Sequence, residues 1–429
     1  MLSLYGGVST HIDSVLPPAA LPSRTMKTDG RIKPQRARPR LQRRWDLRYS
    51  RVAHLAARAE RRIPRFAWVY LDGGTGDEVA VGRTRDAFDR VELVPRFMKG
   101  PFQPTLATTF LGVEYGAPFG TAPLGMQGLI WPGAERTLAS TAADHRVAYS
   151  LSTAACQDTE TIGPIAGDVG WFQLYVPADP AVGEDLLQRA EACGFRTLLL
   201  TVDVPVDARR ERMRRAGLRV PFRLTPRLIG EALARPAWLS RVARHGIPRF
   251  RMMEPYWNHA SAFSAISAFS AVGRASEWSA GSPDWDYLAR VCENWPGPVM
   301  VKGLLHPEDA ALAVEAGAAG VVVSNHGARI FDGAPPALDA LPAIVDRVGG
   351  RAAVALDSGV RGGLDIARAL ALGADFVLLG RAFMYALGAL GARGADHLIR
   401  LLKDDLTNVM TQLGCRSVAD LRKVMVSRR

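Results

Sequence analysis

The chain has little that would make it a secreted, membrane-spanning or metal-binding protein. Its 429 residues include 4 cysteines. Cys156, Cys193, Cys292 and Cys415 show no CxxC or Cys/His spacing. The pattern fits reduced thiols in a cytoplasmic protein, and no metal site is expected. No apolar run approaches the roughly 20 residues that cross a bilayer. The N-terminus lacks the charged, apolar, small-residue order of a secretory signal. Acidic residues are in short supply: 42 Asp and Glu stand against 54 Lys and Arg, a formal net charge of +12. Such an excess suggests an anionic partner, and its location decides which. No recognised nucleic-acid-binding motif accompanies it.

Residues 1 to about 45 are rich in Pro and Arg and poor in apolar periodicity, as in GRIKPQRARPRLQRR. Such a segment buries too little to order itself. It is expected to be a disordered basic extension, with the domain proper at 46–429. From about residue 117, short apolar runs alternate with helix-length amphipathic segments. The runs are FGTAPLG (119–125), AYSLST (148–153), WFQLYV (171–176), TLLLTVDV (197–204), PVMVKG (298–303), GVVVSN (320–325), AVALDSG (353–359) and FVLLGR (376–381). Intervening stretches such as PEDAALAVEAG and GGLDIARALALG end in Gly, as helix C-caps tend to. Near-continuous apolar strands alternating with helices predict an α/β fold with a covered parallel sheet. Eight such units predict a (β/α)8 TIM barrel.

In such a barrel the site lies at the C-terminal ends of the strands. The eight runs end near Gly125, Ser152–Thr153, Gln173–Tyr175, Thr201–Asp203, Lys302, Ser324–His326, Asp357 and Gly380–Arg381. Polar groups and glycines at nearly every strand end describe a lined pocket. The stretch SNHGARIFDG (324–333) is the sharpest case, because a buried strand delivers Asn325, His326 and Arg329 to its end.

These strand ends, with YLDGGTGDE (70–78), RRE (209–211), SNHGAR (324–329), LDSGVR (356–361) and GR (380–381), resemble the FMN-dependent α-hydroxy-acid dehydrogenase/oxidase family. The resemblance runs from about residue 50 to 420. It is nearest to the membrane-associated (S)-mandelate and L-lactate dehydrogenases, by DSG where oxidases usually read DGG, by PLGMQG, and by the P-x-W-x5-R-H-G-x-P segment at 236–248. It implies FMN as cofactor and oxidation of an L-2-hydroxy acid to the 2-oxo acid. Electrons would pass to a membrane quinone, or alternatively to O2 in an oxidase making H2O2.

The resemblance also implies roles. Arg210, Arg329 and the Tyr70 hydroxyl would hold the substrate carboxylate, a task suited to the planar guanidinium. Tyr175 would bond near the reacting hydroxyl. His326 would be the base, with an ordinary pKa near ~6.5 suited to neutral pH. Asp203 would hold its ring. Lys302 would lie beside the flavin. Pro123, Leu124, Gly125, Ser152, Gln173, Thr201, Ser324, Asp357 and Ser358 would contact the cofactor. Gly359, Arg361, Gly380 and Arg381 would take its phosphate. Gly125, where many oxidases carry Ala, would leave room for a bulky or aromatic substrate. Leu124 departs from the usual Thr, and Ile330 and Phe331 replace the usual Gln-Leu.

Almost a hundred residues separate the fourth and fifth strands, far beyond an ordinary loop. This insert, at about 209–255, carries 13 Arg and two acids, Glu211 and Glu231, over residues 209–251. It also carries Leu228, Ile229, Leu233, Trp238, Leu239, Val242 and Ile247. Basic, amphipathic, Trp-containing sequence suits an interfacial anchor, with a solvated lid or an oligomer contact as the other readings. The resemblance makes it the membrane-binding segment of a peripheral protein on the inner face of the cell membrane. A homo-tetramer is implied in the same way. The Ala/Ser-rich stretch 259–282 is expected to be a mobile active-site loop.

Overall fold

The computed structural model of the chain describes residues 40–206, 208–218, 225–256 and 283–428. Residues 1–39 of the basic extension and the Ala/Ser-rich stretch 259–282 lie outside the described residues. A helix, Arg40–Arg48, crosses the boundary expected at residue 45.

Eight parallel strands close into a barrel in sequence order. They are β1 (Phe119–Thr121), β2 (Ala148–Ser152), β3 (Gly170–Tyr175), β4 (Thr197–Thr201), β5 (Val299–Leu304), β6 (Gly320–Val323), β7 (Ala353–Leu356) and β8 (Phe376–Leu379). All eight expected strands are present, mostly shorter at the C-terminal end than their apolar runs. The residues beyond each strand turn into the rim. Met126, His326 and Ser358 have φ of 51°, 54° and 75°, values no strand accommodates.

Alternation along the strands sorts the core into two sets. Phe172, Leu198, Leu200, Val301, Val321 and Val323 face outward and pack with the surrounding helices. Trp171, Leu199, Met300, Val322, Ala355, Phe376 and Leu378 form a separate cluster inside the barrel. Below them a hairpin, Thr108–Phe110 with Val113–Tyr115, closes the N-terminal mouth. The helices Pro307–Glu315 and Gly363–Ala371 end as expected, with Gly317 and Gly373 left-handed just beyond them.

Two additions shape the site. The helix Val52–Arg62 buries Val52, Leu55 and Ala59 on one face and leads into Arg65–Asp72, which presents Tyr70. The insert between β4 and β5 forms the helices Glu211–Arg215, Pro226–Leu233 and Pro236–His245. Its helix Pro226–Leu233 docks through Glu231, which accepts the Phe66 N–H at 3.2 Å. The acid thereby caps the first turn of Arg65–Asp72, where the helix dipole favours negative charge. Leu228 and Trp238 are buried, and Trp238 Nε1 donates to the Leu129 carbonyl at 3.1 Å. The tryptophan expected in an anchor is therefore a core residue. Ile229, Leu233 and Ile247 are the exposed large apolar residues among the described residues of the insert, at 47%, 62% and 53%.

Candidate active site

Inside the barrel four neighbouring strands change character at one height. Leu199, Met300, Val322 and Ala355 are apolar, and the next inward positions are Thr201, Lys302, Ser324 and Asp357. Register puts them side by side, with Ser152 paired to Gln173, Tyr175 to Thr201 and Thr201 to Lys302. Most of the expected residues therefore converge because a two-residue period aims them at one mouth.

His326 is held by an unusual turn. His326, Gly327 and Ala328 have φ of 54°, 64° and 59° in succession, and left-handed non-Gly residues persist only where surroundings fix them. Asn325 does much of the fixing. Its Oδ1 accepts from Ala328 N at 3.2 Å, and its Nδ2 donates to Thr84 Oγ1 at 2.9 Å and the Pro335 carbonyl at 3.2 Å. The imidazole then lies between two partners: Asp203 Oδ1 is 2.8 Å from Nδ1, and the Tyr175 hydroxyl is 3.4 Å from Nε2. The carboxylate holds the proton on Nδ1, which leaves Nε2 as the basic nitrogen. Asp203 reaches this place because residue 303 is Gly; a Cβ there would sit 2.5 Å from the Asp203 Cβ.

Burial pushes the His326 imidazole below its ordinary pKa, with Asp203 opposing and Lys302 adding to the fall. Burial raises Asp203, but His326 and Lys302 outweigh it and hold the carboxyl below its usual value. Burial pushes the Tyr175 hydroxyl up to about 12, which keeps it a donor. Lys302 lies 3.2 Å from Asp357 Oδ2 and donates to Ser324 Oγ at 3.1 Å. Burial opposes its charge, yet Asp357 and Asp203 outweigh burial and raise the amine above its ordinary value. Lys302 is thus a fixed cation.

Arg329 lies 5.2 Å over the Tyr70 ring. It donates to the carbonyls of Tyr70 at 2.8 Å and of Leu71 and Gly73 at 3.1 Å. These are terminal carbonyls of Arg65–Asp72, the negative end of its dipole. Three of the five guanidinium hydrogens are used, which leaves Nε–H and one Nη2 hydrogen without a partner among the described residues. Burial, then Arg210 and Arg381, push Arg329 down to about 9. Arg210 heads Glu211–Arg215 at φ 43° and is tied by its backbone N–H to Thr75 Oγ1 at 3.4 Å. The mutual repulsion of these cations makes the place one that an anion would stabilise. Tyr70 donates to the Gly125 carbonyl at 3.1 Å. Pro123, Leu124 and Gly125 line the rim, half-buried.

On the other side, Arg381 donates to the same Leu71 and Gly73 carbonyls at 3.2 and 2.9 Å. Arg361 is pushed down to about 10 by burial. At Gly359 a Cβ would lie 2.7 Å from Thr84, so the backbone there stays bare. Gly380 precedes Arg381 at the end of β8.

Several contributors were not singled out from sequence. Arg212 pairs with Asp72 at 3.0 Å and Glu78 at 2.9 Å, fastening the start of the insert to the 70–78 segment. Asp332 accepts from Asp77 N at 3.1 Å and Ala80 N at 2.8 Å, fastening that segment to the histidine loop. Both lie in or beside the sequence motifs, but long-range partners leave no periodic signal. Phe331 is exposed and nothing in the structure explains it.

A family model for FMN-dependent dehydrogenases matches residues 59–428. The L-lactate dehydrogenase of Caulobacter vibrioides (strain NA1000 / CB15N) is 38% identical over 372 residues, covering 86% of this chain and 96% of that protein. The L-lactate dehydrogenase of Pseudomonas aeruginosa (strain LESB58) is 37% identical over 373 residues, covering 85% and 94%. The crystal structure of the monotopic membrane protein (S)-mandelate dehydrogenase superposes with a TM-score of 0.80 at 33% identity, over 86% of this chain and 97% of that one. A mandelate oxidase bound to (S)-2-phenylpropionate gives 0.73 at 32% identity, over 89% and 99%.

The rim fits the cofactor of that family. Gln173 Nε2 and Thr201 Oγ1 are buried without a hydrogen-bond partner among the described residues, a cost that a ligand's polar edge removes. Ser152 Oγ donates to Gln173 Oε1 at 2.7 Å, which turns the amide nitrogen free. Lys302 is the cation at the same level, and Arg361 and Arg381 lie beside bare glycine backbone, as a phosphate needs. With the family model spanning most of the chain and its cofactor's needs met at the barrel mouth, the chain belongs to the FMN-dependent dehydrogenases.

Proposed function

We propose that this enzyme oxidises an L-2-hydroxy acid with a bulky or aromatic, mandelate-like side chain, or a lactate-like one, to the 2-oxo acid. The observation that carries this is His326 Nε2, oriented by Asp203 and facing Tyr175, in a pocket that also holds Arg210 and Arg329. Arg329 and Arg210 bind the substrate carboxylate, with Tyr70 beside it. Tyr175 orients the reacting hydroxyl. His326 takes the proton at Nε2, and Asp203 stabilises the imidazolium that results. FMN, when bound, supplies the two-electron acceptor. Gly125 leaves space at the rim: a Cβ there would lie 3.0 Å from Ala154 and 3.6 Å from the Tyr70 hydroxyl.

The electrons pass to a membrane quinone in this reading. The basic insert supports it, with Ile229, Leu233 and Ile247 exposed among arginines as an interfacial anchor requires. No helix of the described residues is long and apolar enough to cross a membrane. The enzyme would lie on the inner face of the cell membrane as a homo-tetramer. An oxidase passing electrons to O2 is the second reading, supported by the similarity to mandelate oxidase.

Anaerobic addition of (S)-mandelate, L-lactate and glycolate to detergent-purified protein tests the chemistry. Bleaching of the flavin band near about 450 nm by one of them is expected. A flavin band bleached by no 2-hydroxy acid overturns the proposal. Quinone-analogue turnover against peroxide yield separates the two acceptors, and co-sedimentation with anionic vesicles tests the anchor.

A further inference from the structure

Ser358 follows Asp357 at the end of β7, buried, at φ 75°. A side chain is disfavoured in that left-handed region. The hydroxyl nevertheless makes every bond it can. It donates to Asp357 Oδ1 at 2.8 Å and accepts from the backbone N–H groups of Asn325 at 3.3 Å and Gly327 at 3.0 Å. A hydroxyl has one hydrogen and two lone pairs, so the side chain keeps nothing for a bound molecule. A cofactor contact at residue 358 would therefore fall to its backbone.

Its partners form a closed circuit. Asp357 holds Lys302 through Oδ2, Lys302 donates to Ser324 Oγ, and Ser324 Oγ accepts the His326 N–H at 3.0 Å. Asn325 and Gly327 flank His326. One serine therefore links the cation at the flavin site to the turn that carries the base. We propose that Ser358 is a positioning residue of the dehydrogenase reaction: its hydroxyl locks the His326 turn and, by sharing the Asp357 carboxylate, leaves the Lys302 ammonium less neutralised toward bound flavin. The flavin half rests on family membership, and the half concerning the base rests on the proposed 2-hydroxy-acid chemistry.

Removing the hydroxyl turns Asp357 more fully onto Lys302. The field at the flavin weakens, and His326 loses part of the repulsion that keeps it neutral. Two variants separate this from simple stability. Ser358→Gly removes hydroxyl and backbone strain together, whereas Ser358→Ala removes the hydroxyl and keeps the strain. Midpoint potentials of the bound flavin are measured by dye-coupled reductive titration without any 2-hydroxy acid, alongside melting temperatures and pH profiles of kcat/KM. Both variants are expected to shift the potential negative by a similar amount. Both lose about tenfold in kcat/KM, the effect of one hydrogen bond to a charged group, with the acid limb moved to higher pH. The Ala variant melts below the Gly variant. Wild-type potential and acid limb in both variants, or changes that follow the melting temperature alone, overturn the proposal. A wild-type enzyme whose flavin titrates chemically but is reduced by no 2-hydroxy acid overturns the proposed substrate class and leaves the potential measurement as the judge of Ser358.

Discussion

The two mouths of the barrel are made by the same strands and finished in opposite ways. At the N-terminal mouth, Phe110 stacks on Phe376 at 4.8 Å and on Trp171 at 5.8 Å, and Trp171 Nε1 donates to the Tyr115 hydroxyl at 2.8 Å. Burial pushes that hydroxyl up to about 12, so it stays neutral. At the C-terminal mouth the same strands end in Gln173, Asp203, Lys302 and Asp357. There the backbone is left-handed at His326 and Ser358, and Gln173 Nε2 and Thr201 Oγ1 have no partner among the described residues. The aromatic cluster pairs the Trp171 and Tyr115 polar groups within the protein, whereas the rim leaves polar groups that a bound cofactor satisfies. Stability and chemistry are thus separated by about the height of the barrel, a division that the fold permits because loops at one face change without repacking the other.

His326→Gln should have the largest effect on the chemistry. Gln can still reach Asp203 but cannot take the substrate proton, so kcat should fall by about 10²–10⁴-fold. Flavin content and melting temperature should stay close to wild type. Stopped-flow reduction of the bound flavin measures the loss, and a fall under tenfold would assign the base elsewhere.

Trp171→Ala probes the other mouth. Removing a fully buried indole costs about 3–5 kcal/mol, read as a lower denaturant midpoint. Below the unfolding transition, kcat/KM should remain near wild type. If this variant lost turnover as heavily as His326→Gln while keeping its stability, the two mouths would be coupled and the division between them would fail.

How much of this was legible in the sequence differs between the mouths. The barrel and the rim residues could be read from eight apolar runs and from the polar residue or glycine at the end of each, because period two carries both. The aromatic plug could not, since Phe110 and Tyr115 come from a hairpin whose own runs are only three residues long. At the rim, residue types could be read but not their pairings. Nothing local announces that Arg329 and Arg381 share the carbonyls of one distant helix terminus, or that Ser358 braces the histidine turn. Trp238 illustrates the reverse error. Beside arginines it suggested an anchor, whereas its indole is buried edge-on against Phe66 at 5.8 Å.

The smallest expected effect is a pH dependence confined to one mouth. In the proposed reaction His326 is the neutral base, and burial holds its pKa below the ordinary ~6.5. The profile of kcat/KM should therefore be flat above that value and fall about tenfold per pH unit only once pH passes the lowered pKa. Stability should follow the same sign. The unfolded chain takes up this proton near ~6.5 while the folded protein resists it, so the contribution is complete above that pH and declines below it. The slope is at most ~1.4 kcal/mol per pH unit, until the folded imidazole is also protonated. His326→Gln should flatten this part of the stability curve, whereas Trp171→Ala should lower the whole curve and leave its shape. An acid limb of kcat/KM centred above ~6.5 would mean that Asp203 outweighs burial and Lys302 at this histidine.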